Sequence, residues 1–225
     1  TSLNFANLEL DLLKEPKKIN VTLTFCIDTS SSMEKDDRLV IVKKAVNKVI
    51  KNAQKIVDKE TGEIEIAILE FKTQGEVVLS PTKFAPKGKI RDITNIIKKL
   101  KASGSTKILN GLEQATTTLK KMQTTTPQAT HSLILLADGE NETLDGKKLL
   151  TIKQTLADAN AKLYVIGIGE FHGKETLKSI AGIKGTYIDA SDVSTIKNSI
   201  NQIFQKSIST VKDIVLKSSQ LPSGS

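Results

Sequence analysis

Apolar residues occupy alternate positions from Ile19 to Ile27, in the stretch INVTLTFCI, and then recur in steps of three and four from Leu39 to Val57. The first pattern predicts a strand. The second predicts a helix with Leu39, Val42, Val46, Val49, Ala53 and Val57 on one face and lysines on the other. EIEIAILEF (63–71) predicts a second strand, and TQGE turns it into EVVLS (76–80), the antiparallel arm of a hairpin. Helices follow near 89–101 and 108–122, linked by ASGST (102–106), and a Thr/Pro/Gln stretch at 124–130 reads as a loop. HSLILLAD (131–138) is an unbroken apolar run, as a parallel strand covered on both faces requires. A helix (147–160), the strand KLYVIGIG (162–169), a helix (174–182), the short strand GTYIDA (185–190) and a helix (192–206) continue the alternation.

Strands alternating with helices predict an α/β fold, doubly wound and Rossmann-like, with a mostly parallel central sheet, one antiparallel edge strand and helices on both faces. LNFANLELDL (3–12) and TVKDIVLKSS (210–219) alternate like strands and are expected to flank that core. The chain accordingly divides into an N-terminal extension (1–16), a domain (17–208) and a C-terminal extension (209–225).

Composition narrows the function classes. The 225 residues are 38% hydrophobic and 26% charged, ordinary values for one globular domain. No apolar segment approaches the roughly 18 residues of a membrane span, and TSLNFANLEL lacks the charged start and apolar middle of a signal peptide. The compartment stays open. The net charge of +8 invites a nucleic-acid reading, but Arg38 and Arg91 are the only arginines, the lysines are spread over many elements, and aromatics are 4% with no Trp. Lysine lacks the guanidinium fork that reads bases, and so few aromatics make no stacking platform. No specific nucleic-acid partner is expected. The single cysteine, Cys26, excludes an internal disulfide and sits in an apolar strand, where a buried, inert thiol is expected.

In open α/β sheets ligands bind beyond the carboxyl ends of the strands, where strand order switches. Asp28 ends the first strand and Asp138 ends SLILLA, so both carboxylates belong to that edge. Ser30 and Ser32 lie in the turn after Asp28, and Thr106 lies in a glycine-containing loop that can reach the same place. Five oxygen groups without His or Cys suit magnesium, with manganese or calcium as alternatives, and argue against zinc or copper.

DTSSS fits the D-x-S-x-S signature of the von Willebrand factor A domain family. The Thr in GST and the Asp in LLADG match the other two elements of that family's metal-ion-dependent adhesion site. The resemblance spans roughly residues 17 to 206 and takes in YVIGIG and LKSIAGIKGTYI. It implies a non-enzymatic protein-binding module with Ser30, Ser32 and Thr106 as direct metal ligands. It implies also that Asp28 and Asp138 coordinate mainly through water, and that an Asp or Glu of a partner protein completes the shell. Two positions depart from the family pattern: Ser31 replaces a common glycine, and Lys107 follows Thr106 where a proline or small polar residue is frequent.

Competing readings rest on weaker signals. A magnesium phosphotransferase of the haloacid dehalogenase type also places an Asp after its first strand, but it needs a second carboxylate two residues on, and that position is Ser30. A third reading keeps the fold, treats the metal site as vestigial and assigns binding to the lysine-rich surface. IGIGEFHG fits a dinucleotide fingerprint poorly, because Gly173 comes one place late. His131 and His172 are too few and too separated for a metal site or a triad, and read as loop residues. The sequons at Asn20 and Asn141 read as chance matches.

Overall fold

The computed structural model describes residues 19–59, 62–88, 90–140, 142–190 and 192–218. Its elements run β1 (Ile19–Asp28), α1 (Arg38–Val57), β2 (Gly62–Phe71), β3 (Gly75–Lys83), α2 (Arg91–Lys99), α3 (Ile108–Thr125), β4 (Thr130–Ala137), α4 (Gly146–Asp158), β5 (Lys162–Ile168), α5 (Lys174–Ala181), β6 (Thr186–Ala190) and α6 (Val193–Ser218). The strands form one sheet in the order β3-β2-β1-β4-β5-β6. Every pairing is parallel except that of β3 with β2. The doubly wound architecture expected from the alternation is the one observed.

Two apolar layers explain why the strands read as they do. Val21, Leu23, Phe25 and Ile27 of β1 face one layer with residues of α1, α2 and α6. Cys26 faces the other, with residues of α3, α4 and α5. The intervening Thr22 and Thr24 are buried too, and their hydroxyls are satisfied by His131 Nδ1 at 2.7 Å and Met122 Sδ at 3.5 Å. β1 is therefore a central strand covered on both faces, although its threonines resemble a solvated side. Cys26 is fully buried, and burial together with the nearby Asp28 pushes its thiol pKa up.

Three expectations are corrected. Residues 210–218 are not a flanking strand but the end of α6. The buried Ile196, Ile200, Ile203, Phe204 and Ile208 set a helical register, and the apolar positions 211, 214 and 215 prolong its steps of three and four. The N-terminal segment 3–12 lies outside the described residues. The Thr/Pro/Gln loop begins later than expected, because the hydroxyls of Thr124, Thr125 and Thr126 bond back to carbonyls at Lys120, Lys121 and Met122 and α3 persists to Thr125. His131 is no loop residue: it lies in β4, buried against Thr22.

Between β1 and α1 the chain makes two short 3-10 turns over Ser31–Asp37, a feature absent from the periodic pattern. Asp36 and Asp37 take left-handed conformations, with φ of 49° and 55°. Short polar side chains tolerate that region better than most. The double reversal delivers Arg38 to the start of α1.

Candidate metal centre

β1 has β2 on one side and β4 on the other, and β4 follows β1 in sequence only after α1, the β2–β3 hairpin, α2 and α3, so strand order switches at β1 and β4. Asp28 and Asp138 stand at the carboxyl ends of those two strands, both fully buried. Asp28 Oδ1 accepts the Ser30 N–H at 2.8 Å, which closes the turn. Its Oδ2 is buried and has no hydrogen-bond partner among the described residues. Burial pushes the Asp28 carboxyl up to about 7; Ser30 opposes the rise through its hydroxyl and N–H, and the charges of Asp138 and Glu142 reinforce it. The Ser30 and Ser32 hydroxyls lie 3.1 Å apart in the same turn.

The loop carrying Thr106 is fastened to this turn. Ser103 N–H donates to Thr29 O at 2.9 Å, and Ser31 donates to Gly104 O twice, from its N–H at 3.0 Å and its hydroxyl at 2.8 Å. Ser31 keeps a negative φ, so the serine that replaces the common glycine is accommodated without strain and gains a bond across the site. Thr106 is half-buried in the anchored loop, and among the described residues it makes no hydrogen bond to Asp28, Ser30, Ser32 or Asp138. Burial raises the Glu142 carboxyl pKa, and the Ile108 N–H and the charge of the exposed Lys107 only partly oppose the rise.

Asp138 is held differently from Asp28. Its Oδ1 accepts the Glu140 N–H at 3.1 Å, and its Oδ2 pairs with Arg38 Nη1 at 3.0 Å. The same nitrogen reaches Glu140 Oε1 at 2.8 Å, and Lys35 Nζ reaches Glu140 Oε2 at 2.8 Å. Glu142 Oε2 accepts the Ile108 N–H at 2.7 Å, so a carboxylate from the β4–α4 loop meets the start of α3 beside Thr106. Sequence reasoning missed Arg38, Glu140 and Glu142. One signal existed for Arg38: it is one of two arginines in the chain and stands six residues after Ser32.

The IGIGEFHG glycines serve packing. His172 lies in the loop after β5, as expected, but its side chain is buried: Nδ1 contacts Gly169 O at 2.6 Å and Nε2 meets the Tyr187 hydroxyl. A Cβ on Gly167 would lie 2.5 Å from that ring, and one on Gly173 would lie 1.8 Å from Gly139 O.

The donor set suits a hard cation. Among the described residues no three carboxylate, imidazole or thiol groups gather into a cage, so a cation here depends on hydroxyls. Two ligands on adjacent corners of a magnesium octahedron, each about 2.0–2.1 Å from the ion, lie about 2.9 Å apart. The Ser30 and Ser32 hydroxyls are close to that spacing at 3.1 Å. A buried carboxylate oxygen without a partner beside them is costly in the metal-free protein, and a cation or its bound water would satisfy it.

Three solved structures share the fold. A von Willebrand factor type A protein from Catenulispora acidiphila is 24% identical with a TM-score of 0.69, covering 85% of this chain and 43% of that one. The SpRpn10 VWA domain is 17% identical with a TM-score of 0.61, covering 82% and 95%. The pilus adhesin SpaC from Lactobacillus rhamnosus GG, in its open conformation, is 15% identical with a TM-score of 0.63, covering 90% and 31%. The chain thus spans less than half the length of the first of these proteins. No curated protein matches the chain, and no described helix is long and apolar enough to cross a membrane. The family model for the von Willebrand factor type A domain matches residues 22–205, and with the sheet order and helical layers above it shows that the chain belongs to this family, whose domains typically mediate protein–protein interaction or adhesion.

Proposed function

We propose that this domain binds a protein partner through a divalent cation, Mg²⁺ with Mn²⁺ or Ca²⁺ as alternatives, held where β1 and β4 end. The observation that carries the reading is the buried Asp28 Oδ2, without a partner among the described residues, beside two serine hydroxyls 3.1 Å apart. Ser30, Ser32 and Thr106 would ligate the ion directly, and Asp28 and Asp138 would hold its water ligands. Neutral hydroxyls leave such an ion most of its charge, which an Asp or Glu carboxylate of the partner would complement. The reading is one of binding rather than catalysis, because Ser30 stands where a phosphotransferase of the alternative type needs its acid.

Calorimetric titration of the metal-free domain with Mg²⁺ and Mn²⁺ tests it. Saturable single-site binding in the wild type, lost in a Ser30→Ala/Ser32→Ala double variant that still unfolds cooperatively, is the expected result. A wild type silent at millimolar metal would overturn the metal-dependent mechanism and leave the lysine-bearing faces as the better binding surface.

A further inference from the structure

We infer that Arg38 is a built-in counter-charge that weakens this centre's hold on its cation and leaves the bound cation more attractive to a partner's carboxylate. The inference rests on the proposed metal site and concerns how that site is tuned.

The guanidinium is where a cation is least at home. Arg38 is the first residue of α1 and only 3% exposed. The start of a helix carries partial positive charge, and a buried cation is costly without close anionic partners. Nη1 holds both Asp138 Oδ2 and Glu140 Oε1, Nη2 donates to Phe171 O at 3.4 Å, and Nε has no partner among the described residues. The backbone makes room on both sides: Asp36 and Asp37 adopt left-handed turns, and Gly169, with φ of 95°, lies so close that a Cβ there would stand 2.6 Å from Nε.

The arrangement makes the two site aspartates unequal. Both oxygens of Asp138 are committed, one to the Glu140 N–H and one to Arg38, whereas Asp28 keeps one oxygen free. Four carboxyl groups, Asp28, Asp138, Glu140 and Glu142, lie near the ends of β1 and β4 without three of them gathering into a cage, and the buried positive charge paired with Asp138 and Glu140 is Arg38; Lys35 is more than half exposed. Removing the Arg38 charge concentrates negative potential on the ion's position and tightens its binding. The same change lowers the net positive charge that the occupied site presents to a carboxylate. Removing Glu140 acts with the opposite sign.

Mg²⁺ affinity of the whole domain, read by calorimetry and by the Mg²⁺-induced shift in unfolding temperature, separates this from a scaffold role. Arg38→Gln is expected to bind Mg²⁺ about tenfold tighter than wild type, the scale of one unit charge across a partly hydrated site, and Glu140→Gln to bind it weaker. Weakening in both variants is the signature of a network that only holds the loops in place, and overturns the inference while leaving the metal site. Should Arg38→Gln not fold, Arg38→Lys decides, because it keeps the charge and loses the guanidinium's forked hydrogen bonds: Mg²⁺ affinity near that of wild type is expected, and weakening like that of Glu140→Gln overturns the inference. Absence of Mg²⁺ binding in wild type and both variants overturns this inference together with the proposed function.

Discussion

Replacing Asp28 with asparagine should stabilise the metal-free domain at alkaline pH and destabilise it at acid pH. Burial raises the Asp28 carboxyl from its ordinary 3.8 to about 7. Between about pH 4 and pH 7 the unfolded chain has released this proton while the folded chain retains it, so stability falls as pH rises through that window. At ~1.4 kcal/mol per pH unit, the interval amounts to ~4 kcal/mol by pH 8. The asparagine of Asp28→Asn carries no charge and keeps the oxygen that accepts the Ser30 N–H, but it places an amide donor where Oδ2 has no partner, at a cost of ~1–3 kcal/mol. The variant should therefore be about 1–3 kcal/mol more stable than wild type at pH 8 and less stable by a similar amount near pH 4. Urea unfolding in the presence of chelator, at a series of pH values, measures the difference. A difference that does not change sign or magnitude with pH would refute the argument, and loss of the cooperative transition would show Asp28 to be a structural cap. Mg²⁺ added at pH 8 should shrink or cancel the variant's advantage, since a ligand at a hundred times its Kd adds ~2.7 kcal/mol to the wild type and less to a variant that binds it more weakly.

Thr106→Ala should still bind Mg²⁺ through Ser30 and Ser32 but with a Kd raised about tenfold, ~1.4 kcal/mol; unchanged affinity in the titration would remove Thr106 from the ligand set. Gly173→Ala should cost ~1–3 kcal/mol in urea unfolding by overpacking, because its Cβ would meet Gly139 O at 1.8 Å, and should weaken Mg²⁺ binding, because Gly173 N–H donates to Asp138 O at 2.6 Å. Cys26 should react with a thiol reagent only as fast as the domain unfolds, since the thiol is fully buried and burial raises its pKa; labelling at the rate of a free thiol would contradict this.

Local pattern alone determined most of the elements. Period-two and three-four spacings record which side of a segment is buried, and that is decided within a few neighbouring residues, so β1, α1, the hairpin and the serine turn could be read directly. Asp28, Ser30 and Ser32 share one turn, and their grouping needed no tertiary information. Tertiary structure decided what depends on partners far along the chain. Residues 210–218 have an apolar spacing compatible with a strand or a helix, and the register of α6 against the sheet selected the helix. His131 resembles a loop residue until Thr22, 109 residues away in sequence, supplies its hydrogen bond in the core. The same holds for charge: Arg38 looks like a surface cation ahead of a lysine-rich helix, and only the parallel pairing of β1 with β4 brings Asp138 within 3.0 Å of it across 100 residues. Electrostatic energy depends on separation in space and on burial, neither of which a linear spacing encodes.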